Sequence, residues 1–436
     1  MNSFVIRSAA VCLSMMIGLV ASASTGAEAP PKPDLRNLPV ADASLVKMRA
    51  VTRGPKFHWF GYYDKDQIDV TGRYLLAMEV DFEHRSPRPE DVVKIGMVDL
   101  ADDDRWIELT ESRAWSWQQG CMLQWRPGSE TEILFNDREG DRFVCRIFDV
   151  KTRKLIRTLP MAIEHVTADG RWAVCSDYRR IQYIRPGYGY AGLPDPNRDV
   201  SAPDDVGAWS MNLETGETKL LVSVAQLAKI PHPKASPKNK YYVNHFQWSP
   251  DGKRFLMFYR WSLKPRGKVT RVFTADDDGS DVRLLVARSG SHWQWIDPEH
   301  VLCSVRGGYR IYKDDGSGEP KETLWFASDG HVSYIPGTNQ QWLVSDTYPR
   351  GRKREQILYL FHLPTGRAVV LGRFRSPRKY TGEWRCDLHP RVSRDGKFIV
   401  IDSPHGGNGR QEYLLDISRI IAGEASGTTA SPAQGQ

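Results

Sequence analysis

The chain has 436 residues, 60 Lys+Arg against 53 Asp+Glu, a formal net charge of +7, and six cysteines. The mild basic excess is not gathered into an arm or a helix, which argues against nucleic acid and suits a polyanionic partner such as an acidic polysaccharide. The wide cysteine spacing is unlike a small disulfide scaffold, and no segment after the first 30 residues is apolar enough to insert in a membrane.

The chain opens like a secretory signal. Arg7 supplies the positive start, residues 9–20 are mostly apolar, and Ala21-Ser22-Ala23 offers a cleavage site. We therefore expect a signal peptide over 1–29 and a secreted or periplasmic product. Cys121, Cys145, Cys175, Cys303 and Cys386 remain, an odd set that leaves at least one without a disulfide or free for another role. Residues 30–50 form a Pro-rich lead that either supplies a closing strand or stays extended.

Short runs such as Tyr74-Leu75-Leu76-Ala77, Glu132-Ile133-Leu134-Phe135 and Trp172-Ala173-Val174-Cys175 read as strands between tight turns. A turn followed by a strand recurs seven times, at 71, 126, 168, 249, 296, 335 and 393. Most intervals are about 40–60 residues, the size of a four-stranded propeller blade. The spacing predicts an all-β fold, a seven-bladed β-propeller around a central channel, as one domain over 30–423. The polar tail, 424–436, is expected to be disordered. The interval from 168 to 249 is too long and holds an insertion, about 178–240, that includes R-P-G-Y-G-Y-A-G-L-P at 185–194. A lid or substrate wall is the natural reading.

Four of the 11 histidines fall in register in successive repeats: His245 in N-H-F-Q-W-S-P-D-G, His292 in S-H-W-Q-W-I-D-P, His331 in G-H-V-S-Y-I-P-G and His389 in L-H-P-R-V-S-R-D-G. A propeller places such positions on the innermost strands of blades 4–7, around one axis. Imidazoles so gathered suit a divalent transition metal; the bland alternative is a set of channel histidines bonded to water and backbone. We expect His292, His331 and His389 as ligands, with Cys386, three residues before His389, as a fourth. A thiolate there favours zinc, whereas a carboxylate or water leaves manganese open. His245, beside Asn244, is left as a general base. Tyr188 and Tyr190 on the insertion are candidate acids or bases; a surface aromatic loop is the alternative. Arg185, Arg260 and Arg391 lie beside the same motifs and offer forked donors for a carboxylate; structural Arg–Asp pairs are the alternative reading. No G-x-S-x-G elbow, Walker loop or H-E-x-x-H occurs.

These phrases, with D-G-H at 329–331 and R-C-D-L-H-P-R at 385–391, resemble the seven-bladed propeller polysaccharide lyases, nearest the oligogalacturonate lyases and ulvan lyases. F-H-W-F-G-Y-Y-D-K at 57–65, W-Q-Q-G-C-M-L-Q-W at 117–125 and R-P-G-Y-G-Y-A-G at 185–192 look like the ulvan-lyase side. The resemblance implies a secreted lyase that cleaves uronate-containing, pectic or ulvan-like poly- or oligosaccharide by β-elimination with a bound Zn or Mn ion. It implies metal at His292, His331 and His389, with Cys386 where oligogalacturonate lyases have Gln. His245 takes the place of the base, Tyr188 matches the ulvan-lyase Tyr, and Arg260 joins them as catalytic. Arg185, Tyr190, His58, Gln119 and Arg391 are expected to bind substrate. One departure is that 117–145 holds no His where ulvan lyases are expected to carry one; Gln119, Gln124 and Asn136 stand there. The competing class is a non-catalytic, TolB-like binding or scaffolding propeller in the periplasm. A glycoside hydrolase would need two carboxylates across a cleft, where these motifs offer His.

Overall fold

The computed structural model describes residues 33–263, 267–324 and 329–425. The expected signal peptide and the tail beyond 425 lie outside the described residues. The described chain forms seven four-stranded antiparallel sheets, the all-β seven-bladed propeller expected from the repeats. The innermost strands of blades 1–7 are Phe57–Trp59, Gln124–Trp125, Ile163–Val166, Tyr242–Trp248, Gly290–Trp295, Val332–Tyr334 and Arg391–Val392.

In blades 3, 4 and 7 the first two strands are joined by one and the same turn. Ser249 Oγ donates to Asp251 (2.8 Å) and accepts from the Arg254 N–H (3.0 Å), with Gly252 at φ +71°. Thr167, Asp169 and Gly170 repeat this in blade 3, and Ser393, Asp395 and Gly396 in blade 7. The positive φ is what reserves the last position for glycine. Neighbouring blades are tied near the axis by one recurrent bond. His165, Gln247 and Gln294 accept the backbone N–H of Trp248 (3.4 Å), Trp295 (3.2 Å) and Tyr334 (2.7 Å) in the next blade. Between the sheets lie apolar clusters rich in aromatics, among them fully buried Trp59, Trp115 and Trp117.

The Pro-rich lead supplies a closing strand. Lys47–Ala50 pairs antiparallel with Gln411–Asp416 as the outermost strand of blade 7, so early and late strands of the described chain complete one sheet. The long interval after blade 3's second strand contains two connections. One runs from 176 to 206 and includes the helix Tyr178–Ile184; the other follows Thr218–Ser223 and includes the helix Val224–Ala228. Arg180 pins the first in place. Fully buried, it donates to the carbonyls of Tyr241, Asn197, Val200 and Ser201 and to Asp195. These bonds tie residues 195–201 to Tyr241 at the start of blade 4.

Candidate active site and metal centre

The four histidines are all buried at the upstream ends of innermost strands. His331 lies between two others, with ring centroids 4.3 Å from both His292 and His389. His245 joins through Tyr62, which stacks on it at 5.0 Å and lies 5.2 Å from His389. Three of these inner strands break register where the chemistry lies. The pairing skips Glu164 in blade 3, His245 and Phe246 in blade 4, and His292 in blade 5. A bulge of this kind re-aims a side chain and frees its backbone groups from the ladder. At His245 the chain also adopts φ +58°, and its freed N–H is taken by Glu164 Oε1.

One donor set comes from blades 6 and 7. His331, Asp387 and His389 each bring one ligand atom within 4.8 Å of the others. His389 Nε2 and Asp387 Oδ1 are buried without a hydrogen-bond partner. Such orphaned groups cost about 1–3 kcal/mol each, more when charged, unless a ligand satisfies them. The His331 ring Nδ1 faces Asp346 (2.9 Å), and its backbone N–H donates to the same carboxylate (2.7 Å). A carboxylate on Nδ1 leaves Nε2 as the outward lone pair, as in most metal-bound histidines. Burial, then the neighbouring His331 and Arg391, hold the His389 pKa well below its usual value, so its ring is neutral. Two imidazoles and a carboxylate, all buried, fit a divalent cation such as zinc or manganese.

The other two expected ligands are placed differently. His292 is at the edge of the set, its Nδ1 on Asp329 (2.8 Å) and its Nε2 facing the Tyr348 hydroxyl (3.3 Å). Cys386 is buried but is not part of the converging group, and burial pushes its thiol pKa up. In extended chain, side chains alternate, so Asp387 and not Cys386 shares the side of its second neighbour.

A second constellation joins blades 3 and 4. The Tyr188 hydroxyl accepts from Arg385 Nη2 (2.5 Å), and the Arg185 guanidinium lies over its ring at 3.8 Å. Burial opposes ionisation of this phenol, but the charges of Arg185 and Arg385 outweigh it and bring its pKa below the usual value. His245 packs edge-on against Tyr188 at 5.5 Å, and Gln119 Nε2 lies 3.3 Å from its Nδ1. Burial, then Arg260 and Arg185, depress the His245 pKa and keep it neutral. Arg260 is buried, bonded to Asn244 (3.1 Å) and Thr270 (3.2 Å). Neither Arg185 nor Arg260 has an ion-pair partner among the described residues, and Arg185 Nη1 is buried without any acceptor. Buried cations are ordinarily paired, so this pocket is short of an anion.

His245, Tyr188, Arg185, Arg260 and Gln119 thus lie in one neighbourhood. The remaining expected residues are engaged elsewhere. His58 bridges Glu79 (3.1 Å) and Gln411 (3.2 Å) between blades 1 and 7. Tyr190 is fully buried in the apolar core, stacked on Tyr178 at 4.0 Å. Arg391 is saturated by Gln67, Asp402 and the His389 carbonyl, which it holds in position. Asp387, Arg385, Glu164, Asp346 and Tyr62 join the site without having been singled out from sequence. For Asp387 and Arg385 the signal was present in R-C-D-L-H, for Tyr62 in F-G-Y-Y-D. The five described cysteines are all free and buried.

No protein-family model and no curated protein matches the chain. Among solved structures it is similar to an oligogalacturonate lyase from Vibrio parahaemolyticus at 14% identity and a TM-score of 0.60, over 88% of this chain and 96% of that one. It is also similar to an oligogalacturonate lyase in complex with manganese, at 14% identity and a TM-score of 0.58, over 86% of this chain and 94% of that one. At such identity the likeness establishes the fold: the chain is a seven-bladed β-propeller structurally similar to oligogalacturonate lyases.

Proposed function

We propose that this protein is an exported polysaccharide lyase that cleaves uronate-containing poly- or oligosaccharide by β-elimination. The observation that carries this reading is the anion-deficient pocket. Arg185 and Arg260 are cations without a carboxylate partner among the described residues, beside a neutral His245 and an acidified Tyr188. A uronate carboxylate supplies the missing charge. The two arginines then hold the sugar and stabilise the negative charge that develops when the carbon next to that carboxylate loses its proton.

His245, kept neutral by burial, retains a lone pair for that proton. Gln119 governs which nitrogen offers it. Donating its amide N–H to Nδ1 leaves the proton on Nε2; turned over, the amide accepts from Nδ1–H and frees Nε2 as the base. Tyr188, a stronger acid than a free phenol, protonates the departing glycosidic oxygen. His331, Asp387 and His389 are the residues that would hold a divalent cation, with His292 beside them. Such an ion would add positive charge next to the substrate carboxylate. The oligogalacturonate lyase with manganese supports this assignment by its likeness in fold.

The test is incubation with polygalacturonate, its oligomers and ulvan, followed by ultraviolet absorbance of the unsaturated product, with metal analysis of the purified protein. New absorbance is the expected result. Its absence with every substrate, while sugar binding persists, would mean a binding propeller instead.

A further inference from the structure

The hairpin that joins the second and third strands of blade 6 reads T-Y-P-R-G-R-K-R-E over 347–355. Its tyrosine belongs to the site, since the Tyr348 hydroxyl faces His292 Nε2 at 3.3 Å. Its tip does not. Arg352 and Lys353 project into solvent and have no ion-pair partner among the described residues. They line a groove of about 690 Å³ with Arg350, Arg373 and, on the far wall, Arg36 of the N-terminal lead. Among the described residues, two acidic side chains, Asp34 and Glu355, face these five basic ones.

Both walls of the groove are held. The hairpin is closed by backbone bonds between Arg350 and Glu355 (3.1 and 3.3 Å) and from Arg354 to Gly351 (3.2 Å), and Arg354 Nε is anchored on the Ser376 carbonyl (2.9 Å). Opposite, Arg373 Nη2 grips the carbonyls of Leu35 (2.8 Å), Arg36 (3.0 Å) and Leu38 (2.9 Å), which fixes the lead against blade 6. From Tyr348 to Arg352 is four residues, at most ~14 Å of extended chain. The tip thus stands no further from Tyr348 than the length of a short extended oligosaccharide.

We infer that the groove of blade 6 is a distal subsite for further acidic sugars of the same chain, and that it makes the enzyme favour long uronate polymers over short oligomers. The inference rests on the lyase reading of the central site and adds chain-length preference to it. Spaced, solvated cations on a fixed wall attract an anionic chain at low salt and lose that hold as salt screens them.

The experiment is the double charge reversal Arg352→Glu/Lys353→Glu, neither position being in the catalytic neighbourhood. On polygalacturonate or ulvan, whichever the wild type cleaves, kcat/KM for the polymer should fall about tenfold, and that for the trimer should stay unchanged. Added salt should erase the wild-type preference for polymer. Equal changes on polymer and trimer, or no change on either, overturn the inference. Should the wild type yield no unsaturated product, the lyase reading falls on its own, and the groove is then judged by migration through gels containing polygalacturonate. Retardation of the wild type that the double variant loses upholds an anionic-glycan surface, and unretarded wild type removes it.

Discussion

Blades 4 and 6 carry a histidine at the same structural position, yet the surroundings make two different reagents of it. In each, a buried carboxyl group takes the histidine's backbone N–H: Glu164 for His245, Asp346 for His331. Asp346 lies on the next strand of its own blade and also reaches the ring, at 2.9 Å from Nδ1. Glu164 comes from blade 3 and stops 4.0 Å short, so a neutral amide, Gln119, faces that nitrogen instead. A ring backed by a carboxylate is a strong ligand for a cation; a ring backed by an amide and flanked by arginines stays an uncharged base. The shared backbone position builds the scaffold, and the carboxyl group on it stands about an ångström closer to the ring in blade 6 than in blade 4.

The contrast can be broken from either side. On the blade 4 side, His245→Ala and Tyr188→Phe should each lower kcat by about 10²–10⁴, the usual worth of a positioned acid or base, with metal content unchanged. On the blade 6 side, His389→Ala should lower metal affinity by more than about 100-fold, since it removes a ligand where loss of a supporting partner alone costs 10–100-fold. Metal analysis after dialysis reads this directly. Asp346→Asn should weaken metal binding by about 10–100-fold while His331 itself remains. The corresponding Glu164→Gln should leave metal content and rate near wild type. Burial raises the Glu164 pKa to about 8, so the carboxyl is already protonated near neutrality, and the amide still accepts the His245 N–H.

The pH profile sharpens the same point. A depressed His245 pKa keeps the base form present below pH 6.5, which extends activity to the acid side. A depressed Tyr188 pKa means that the protonated acid is lost before pH 10, which brings in the alkaline limb early. Arg185→Met should move that limb upward and also raise KM. A limb that stays in place would separate Tyr188 from proton transfer.

The architecture was written plainly in the chain. Ser or Thr, then Asp-Gly two residues on, can close only a narrow set of turns, and its recurrence marks the blades. Four histidines in register likewise announced a common centre. The partners of those histidines were harder to read. Asp387 and Cys386 are adjacent in R-C-D-L-H, and only the parity of extended backbone decides which one shares a side with His389. Tyr188 and Tyr190 are two residues apart in a glycine-rich bend where alternation fails; one meets the arginines and the other stacks in the core. Bulges at Glu164, His245 and His292 leave no mark in the amino-acid pattern, because they depend on a mismatch with the neighbouring strand. Arg391 shows the opposite case: its fork suits a uronate, and Asp402 and Gln67 engage it in the structure, the Arg–Asp pairing that sequence also allowed.

Ring closure through Lys47–Ala50 has a temporal consequence. The sheet that carries Asp387 and His389 is finished only when a strand made near the start of synthesis docks onto one made near its end. Two of the residues that would hold a cation thus belong to a blade that is complete only when its early and late strands meet. Were an ion bound there, its capture would report that the whole circle has shut.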